Sequence, residues 1–428
     1  MLPELTPALV AFIAQHVGKS VDDLLLRTKA MPGVPMAFVA QQVRARRELR
    51  TKVPGWVAND RLLFPVRVAR EQASSEATAK YKADVIGGYL RQAQRPLRRF
   101  VDLTCGMGVD AVALAGQFSE GVLCERDADL AALCAFNVAT LGLSSQLQVL
   151  QRDGADWLST QPDDGIDLIY LDPARRDSAA RRVSALADCT PDLLLLMPEL
   201  LRNAAVLLLK AAPMLDIDLA CAQLAAATDE RAAEAGSYCI RVAEVHVVAS
   251  MGDCKELLFI LRRRQAGEDT NPSEPLIIAT DLDDDSTVRS FAFTRSEERA
   301  AVAPLGMPET YLYEPNPALA KAGAFRLTGQ RFGLRKLHAN THLYTSSTRC
   351  MDFPGRVFAI EARAVASARA ARELFPSGRA SVLARNAGGS ADVLRTRFRL
   401  RDGGDRWAIV CTTVDGRVAL IRGRQVAG

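Results

Sequence analysis

The sequence predicts an α/β fold, a doubly wound and mostly parallel sheet of seven strands, with a helical region before it and smaller α+β modules after it. Three observations lead there. From Phe100 onward, short β-rich apolar runs alternate with helical stretches, the pattern of a parallel sheet covered on both faces. Two later runs, "EVHVVAS" (244–250) and "ELLFILRRR" (256–264), are separated only by "MGDCK", too short for a helical crossover, which predicts an antiparallel hairpin at the sheet edge. A chain of 428 residues, 49% hydrophobic and 24% charged, has the composition of a globular protein and room for two or three cores.

The first residues, "MLPELTPALVAFIAQHVGKS", lack a basic leader and offer Thr6 and Pro7 as cap and first helical residue, so they read as a helix start rather than a signal peptide. Helical spacing continues in short pieces through 1–95, broken at "MPGVP" and "VPGW". The five parallel strands are expected at "FVDLT" (100–104), "GVLCE" (121–125), "LQVLQ" (147–151), "IDLIYLD" (166–172) and "AVLLLK" (205–210), within a sheet domain spanning 96–265. A polar stretch, "RRRQAGEDTNPSEP", reads as a linker to an α+β segment over 276–350. The tail, 355–428, mixes a helical "EARAVASARAAREL" with strands at "SVLAR", "RWAIVCTT" and "RVALIRG".

No apolar run approaches the ~18 residues that cross a bilayer, and a cytoplasmic location is expected. The nine cysteines are scattered with no C-x-x-C pair and there are four histidines, so neither a disulfide framework nor a metal site is expected. His338 and His342 of "HANTH" read as structural, with Asn340 and Thr341 favouring a turn. The net charge of +4 hides a segregation: 355–428 holds fourteen arginines, no lysine and six acids, a net +8, which leaves −4 for the rest. A second basic stretch, 41–70, carries eight cations against two acids. Such asymmetry points to a polyanionic partner, with a solvated basic face as the alternative.

The first strand runs into "VDLTCGMGVDA" (101–111), which places Gly106 and Gly108 where ligands sit in parallel sheets. The pattern is neither GxGxxG nor a P-loop. Asp102 directly before the glycines repels a pyrophosphate and suits a ligand bearing an ammonium, such as S-adenosylmethionine (SAM), although a structural turn or another nucleotide is the alternative. Glu125, ending the second strand, stands where acids hold ribose hydroxyls, and Asp153, ending the third, can accept from an adenine amine. Thr104, Cys105, Arg126 and Gly154, next to these groups, complete the expected cofactor contacts. The fourth strand closes with "YLDPARRD", which puts Asp172 and Pro173 over the same crevice while Tyr170 points into the sheet.

At this point the chain resembles class I SAM-dependent methyltransferases, and specifically a bacterial family with a THUMP-like C-terminal domain. The resemblance also rests on "EQASSEATAKYKA", "LKAAPMLDI", "EVHVVASMGDCKELL", "YLYEPNPALAKAGAF", "LHANTHLYTS" and "RNAGGSADVLRTRFRLRDGGDRW". It implies a SAM-binding sheet of five parallel strands plus a hairpin, a ferredoxin-like segment over 276–350 and a THUMP-like, RNA-binding module over 355–428. Relatives that methylate exocyclic amines carry [DN]-P-P-[FYW] at the fourth strand, where the acid accepts from the target NH2 and the aromatic stacks on the flipped base. Here Asp172 and Pro173 stand in the catalytic positions, but Ala174 and Arg175 replace the second proline and the aromatic, leaving Arg175 or Arg176 to stack on the base or pair with a phosphate. Arg395, Arg397 and Arg399 alternate along "LRTRFRL" and would share one face of a strand, tracking RNA together with Arg385 and Arg401, with an exposed basic edge that deters strand pairing as the alternative. The resulting expectation is a SAM-dependent methyltransferase acting on tRNA or rRNA at an exocyclic purine nitrogen. The rivals are an RNA-binding protein that has lost catalysis, and a methyltransferase for DNA or a small molecule.

Overall fold

Four consecutive buried residues in each of Leu168–Leu171 and Val206–Leu209 require cover on both faces, and they form neighbouring parallel strands at the centre of a sheet. The computed structural model describes residues 35–175, 192–235, 238–265, 274–282 and 288–426, with 3–4, 6–18, 20, 21, 24, 186, 189 and 190. The chain divides into two units, one of 1–245 with 256–273 and the other of 246–255 with 274–428.

In the first unit the strands are β1 (Arg99–Asp102), β2 (Glu120–Glu125), β3 (Leu147–Gln151), β4 (Leu168–Leu171), the short pair β5 (Ala174–Arg175) and β6 (Cys189–Thr190), β7 (Val206–Ala211), and, outside the hairpin tip 246–255, β8 (Tyr238–Ser250) and β9 (Asp253–Gln265). These strands are ordered β8-β9-β7-β4-β1-β2-β3 within a sheet of nine that continues past β8, so the hairpin expected at the sheet edge is not at an edge. The pairings β1–β2, β1–β4, β2–β3 and β4–β7 are parallel and β9 runs antiparallel to β7, which is the architecture expected from the run-and-hairpin pattern. Successive strands lie on opposite sides of β1, so the loops leaving β1 and β4 diverge and open a crevice at their carboxyl ends.

The helical lead-in belongs to this same unit. Thr6 caps the helix Pro7–His16 through Leu9 N at 3.2 Å. "VPGW", expected as a break, is a helix start, because Pro54 occupies the first position of Pro54–Ala58; "MPGVP" lies outside the described residues except for Pro35. Ser75 caps the helix Glu76–Gln92 through Thr78 N at 3.1 Å, and that helix packs on Val109–Ala115, the helix that follows the glycine loop. Part of the basic stretch 41–70 serves the interior: the buried Arg46 donates to Asp60 O and Leu62 O, and the buried Arg70 pairs with Glu48 at 2.6 Å.

The second unit contains β10 (Leu276–Leu282) and β11 (Val288–Phe293), an antiparallel pair, and then β12 (Tyr311–Pro315), β13 (Arg335–His338), β14 (Thr341–Ser346), β15 (Gly355–Val365), β16 (Ser381–Arg385), β17 (Trp407–Thr412) and β18 (Val418–Val426). The last seven form one sheet, ordered β13-β14-β12-β15-β18-β17-β16. β12 pairs directly with β15, so the segment before residue 350 and the tail after 355 share a hydrogen-bonded sheet. The expected helix over "EARAVASARAAREL" is half strand. Glu361 to Val365 alternate in exposure along β15, and the helix begins only at Ala368, after Ser367 caps Ala370 N. His338 and His342 sit on opposite strands of the β13–β14 hairpin, and His342 stacks on Phe325 with ring centroids 3.4 Å apart. Burial there, with Lys336 and Arg385 nearby, holds its pKa down to about 4. No helix among the described residues is long and apolar enough to cross a membrane.

Candidate active site

Asp102 ends β1 and is buried, with Oδ1 accepting from Thr104 N at 2.9 Å and Oδ2 left without a partner. Burial, and then the neighbouring Asp110, Asp172 and Glu125 carboxylates, drive its pKa well above the ordinary range. An orphaned buried carboxylate oxygen at this position suits a cationic group. Gly106 and Gly108 take φ of +56° and +87°, and a Cβ on Gly108 would stand 2.8 Å from Cys134 Sγ. Glu125 stitches the loops together, accepting from Gly106 N at 3.0 Å and Asp127 N at 2.9 Å. Each of its oxygens keeps a lone pair for a hydroxyl.

Asp153 caps the helix Gly154–Leu158, accepting from Ala155 N through Oδ1 at 2.9 Å, which leaves Oδ2 over. A Cβ on Gly154 would lie 2.3 Å from Leu103 O, so the third strand end can sit against the glycine loop only with glycine there. Cys105 turns inward, its Sγ 3.8 Å from that of Cys134, and can meet a ligand through backbone only; Arg126 is exposed at the rim.

Asp172 follows β4, beside the end of β1. Its backbone N–H donates to Thr104 Oγ1 at 2.7 Å, tying the end of β4 to the glycine loop. Its Oδ2 accepts from Lys210 Nζ at 2.5 Å, and its side chain remains about a third exposed. Pro173 follows, half-buried. Arg175 lies in β5, whose backbone pairs with β6, and Arg176 falls outside the described residues.

Beneath the crevice lies an ionic network that the sequence analysis does not anticipate. Lys82 Nζ, fully buried, reaches Glu256 Oε1 and Oε2 at 2.7 and 2.8 Å and Asp110 Oδ1 at 3.2 Å. Asp110 Oδ2 accepts from Ser74 Oγ at 2.7 Å and from Tyr170 OH at 2.8 Å, so Tyr170 does point into the sheet. Burial alone would raise the Asp110 pKa, but the Lys82 and Lys210 ammonium groups bring it below the ordinary value. A signal is present in the sequence: a lone lysine ending "AVLLLK" and a lone glutamate inside "CKELLFIL" are charges in buried strands, which demand partners.

Residues 311–354 match a ferredoxin-like domain family and 355–424 a THUMP domain-like family. A crystal structure from Porphyromonas gingivalis W83, described as a "putative methyltransferase", is 34% identical, with a TM-score of 0.80 over 98% of either chain. The chain belongs to this methyltransferase family. Ribosomal RNA small subunit methyltransferase J of Laribacter hongkongensis (strain HLHK9) is 35% identical over 96 residues, 21% of this chain. The chain spans about a third (34%) of that relative's length.

In the THUMP-like part of this family member, "LRTRFRL" is a helix end, which corrects the strand expectation. Ser390 caps Ala391–Phe398 and Asp392 stands in its first turn, so local capping outweighs the alternating pattern. Arg395, Arg397 and Arg399 therefore share no strand face. Arg395 pairs with Asp392 at 3.1 Å, Arg397 lies over the Phe398 ring and Arg399 takes φ +55° beyond the helix. Arg385 is also engaged, donating with Arg356 to the buried Glu314 at 2.6 and 2.5 Å. Glu361 takes Arg406 and Arg422 at 2.6 and 3.0 Å. Among the described residues, Arg372, Arg379, Arg397, Arg399, Arg401 and Arg417 have no carboxylate within ion-pair distance.

Proposed function

We propose that this family member is a SAM-dependent methyltransferase acting on RNA at an exocyclic nitrogen of a purine. One observation carries the reading: the Thr104–Asp172 hydrogen bond of 2.7 Å brings the orphaned Asp102 carboxyl and the partly exposed Asp172 carboxylate to one crevice. In this reading Asp102 and the Gly106–Gly108 backbone hold the methionine part of the cofactor, Glu125 the ribose and Asp153 the adenine. SAM supplies an electrophilic methyl on a sulfonium. Asp172 accepts a hydrogen bond from the target amine, orients its lone pair and stabilises the positive charge that develops on that nitrogen. Pro173 fixes the turn that carries the next carbonyl. RNA as the acceptor is supported by the THUMP-like match, by the small-subunit methyltransferase relative and by the unpaired arginines of the tail.

A second reading, an RNA-binding protein without catalysis, is favoured by Ala174 and Arg175 standing where a proline and an aromatic stack would be. Calorimetry with SAM and NAD, followed by transfer from tritiated SAM to RNA of a strain lacking the gene, separates the two. SAM binding with ribonuclease-sensitive incorporation is the expected result. SAM binding without transfer to any RNA supports the second reading, and NAD binding in place of SAM removes both.

A further inference from the structure

We infer that Lys210 is the positioning residue of the acceptor site, clamping one oxygen of Asp172 so that the other faces the substrate amine. The inference rests on the reading of Asp172 given above. Lys210 lies one residue beyond the Leu171–Leu209 pair of β4 and β7, so the sheet itself delivers its ammonium beside Asp172. Its contacts are Asp172 Oδ2 at 2.5 Å and Ser74 Oγ at 3.3 Å.

A fold has little use for a buried ammonium as such, since desolvation costs several kcal/mol unless a counter-charge stands against it. Glu256 and Asp110 act on Lys210 through their charge, but less than Asp172 does, and both are in contact with Lys82; among the described residues the carboxylate within ion-pair distance of Lys210 is that of Asp172, which belongs to the crevice. Two lysines of the same network are thus divided by task. Lys82 neutralises the floor and is wholly buried, and Lys210, 12% exposed, holds a group that is 32% exposed and meets the ligand. Ser74 links them, accepting from both ammonium groups and donating to Asp110 at 2.7 Å, which fixes where the Lys210 head can stand.

A carboxylate rotates about its last bond unless something holds it. With Oδ2 held by Lys210, and with the backbone N–H held by Thr104, the Asp172 side chain presents Oδ1 in a single direction. Orientation of that kind acts on the rate of transfer rather than on the affinity for either substrate.

The test uses the full chain, tritiated SAM and RNA from a strain lacking the gene. Lys210→Met is expected to lower kcat about 30- to 100-fold while the SAM Kd and the KM for RNA stay within about threefold. Lys210→Arg, which keeps the cation, is expected to recover part of the rate. The deciding readout is a double-mutant cycle with Asp172→Asn, in which the Lys210→Met effect should shrink to about threefold or less. An equal loss in the wild-type and Asp172→Asn backgrounds would show that Lys210 acts independently of Asp172, and the inference fails. It fails also if Lys210→Met transfers at the unmodified rate or loses SAM binding. Lys210→Gln covers the case in which the Met variant does not fold; if neither variant folds, the role is structural and the inference is wrong. A wild-type protein that methylates no RNA defeats the proposed function instead.

Discussion

Asp102 is where stability and ligand affinity pull in opposite directions. Burial raises its pKa, so the folded chain holds the proton more tightly than the unfolded chain does. Its contribution to stability is complete below the unfolded value and is lost as pH rises through the raised folded value. A cationic ligand needs the carboxylate, so SAM affinity is expected to fall as pH is lowered through that raised value, above the usual carboxylate range. Asp102→Asn should therefore weaken SAM binding by about tenfold or more and flatten the pH dependence of the Tm of the ligand-free protein, because the carboxyl whose pKa burial raises is gone. Calorimetry and thermal melts across pH 5–9 read both effects. At Asp172 the expected pattern differs: Ala leaves SAM binding within a few fold but cuts transfer about 100-fold, and Asn, whose carbonyl still accepts one hydrogen bond, retains more activity than Ala.

At the scale of elements, close approach explains why glycine stands at the third strand end. Gly154→Ala would put a methyl 2.3 Å from a backbone oxygen of the glycine loop, a contact no side-chain rotation relieves. It is expected to destabilise the protein by about 1–3 kcal/mol and to weaken SAM binding with it, measured by denaturant melts and calorimetry. The strands of this sheet are legible in the sequence because β4 and β7 are unbroken apolar runs with a fixed hairpin after them. "LQVLQ" matches β3 residue for residue, whereas the β8–β9 hairpin is longer than expected, starting at Tyr238 and resuming at Asp253, so that Met251 and Gly252 alone make the turn. "LRTRFRL" misleads because period-2 charge is weaker evidence than a serine cap with an acid in the first turn. Of the site, the glycines and strand-end acids can be read from local order. The Ser74–Lys82–Asp110–Lys210–Glu256 network cannot, since its members are up to 182 residues apart in sequence and only the sheet brings them together.

For the molecule as a whole, the +8 tail overstates the charge available to a partner, because Glu314 and Glu361 neutralise several of its arginines. Arg379 and Arg401 are backbone bridge partners and Arg399 is two residues away, so these exposed and unpaired arginines form the cluster expected to meet phosphates. Replacing all three with Gln should weaken RNA binding at least tenfold at low salt and flatten the salt dependence by about 0.7 per lost contact, with Tm unchanged. Replacing Arg356 and Arg385 should instead lower Tm, because Glu314 would remain buried and unpaired. Deleting 355–428 is the poorer test, since it strips β15 from β12 and opens the sheet.

The central claim is that the crevice between β1 and β4 methylates a purine of RNA with Asp172 orienting the amine. Mass spectrometry of nucleosides from the RNA of a strain lacking the gene tests it most directly, with the wild-type chain and Asp172→Ala returned in parallel. The account expects one methylated purine nucleoside to vanish, to return with the wild type and to stay absent with Asp172→Ala. An unchanged nucleoside profile, or full restoration by Asp172→Ala, would contradict it.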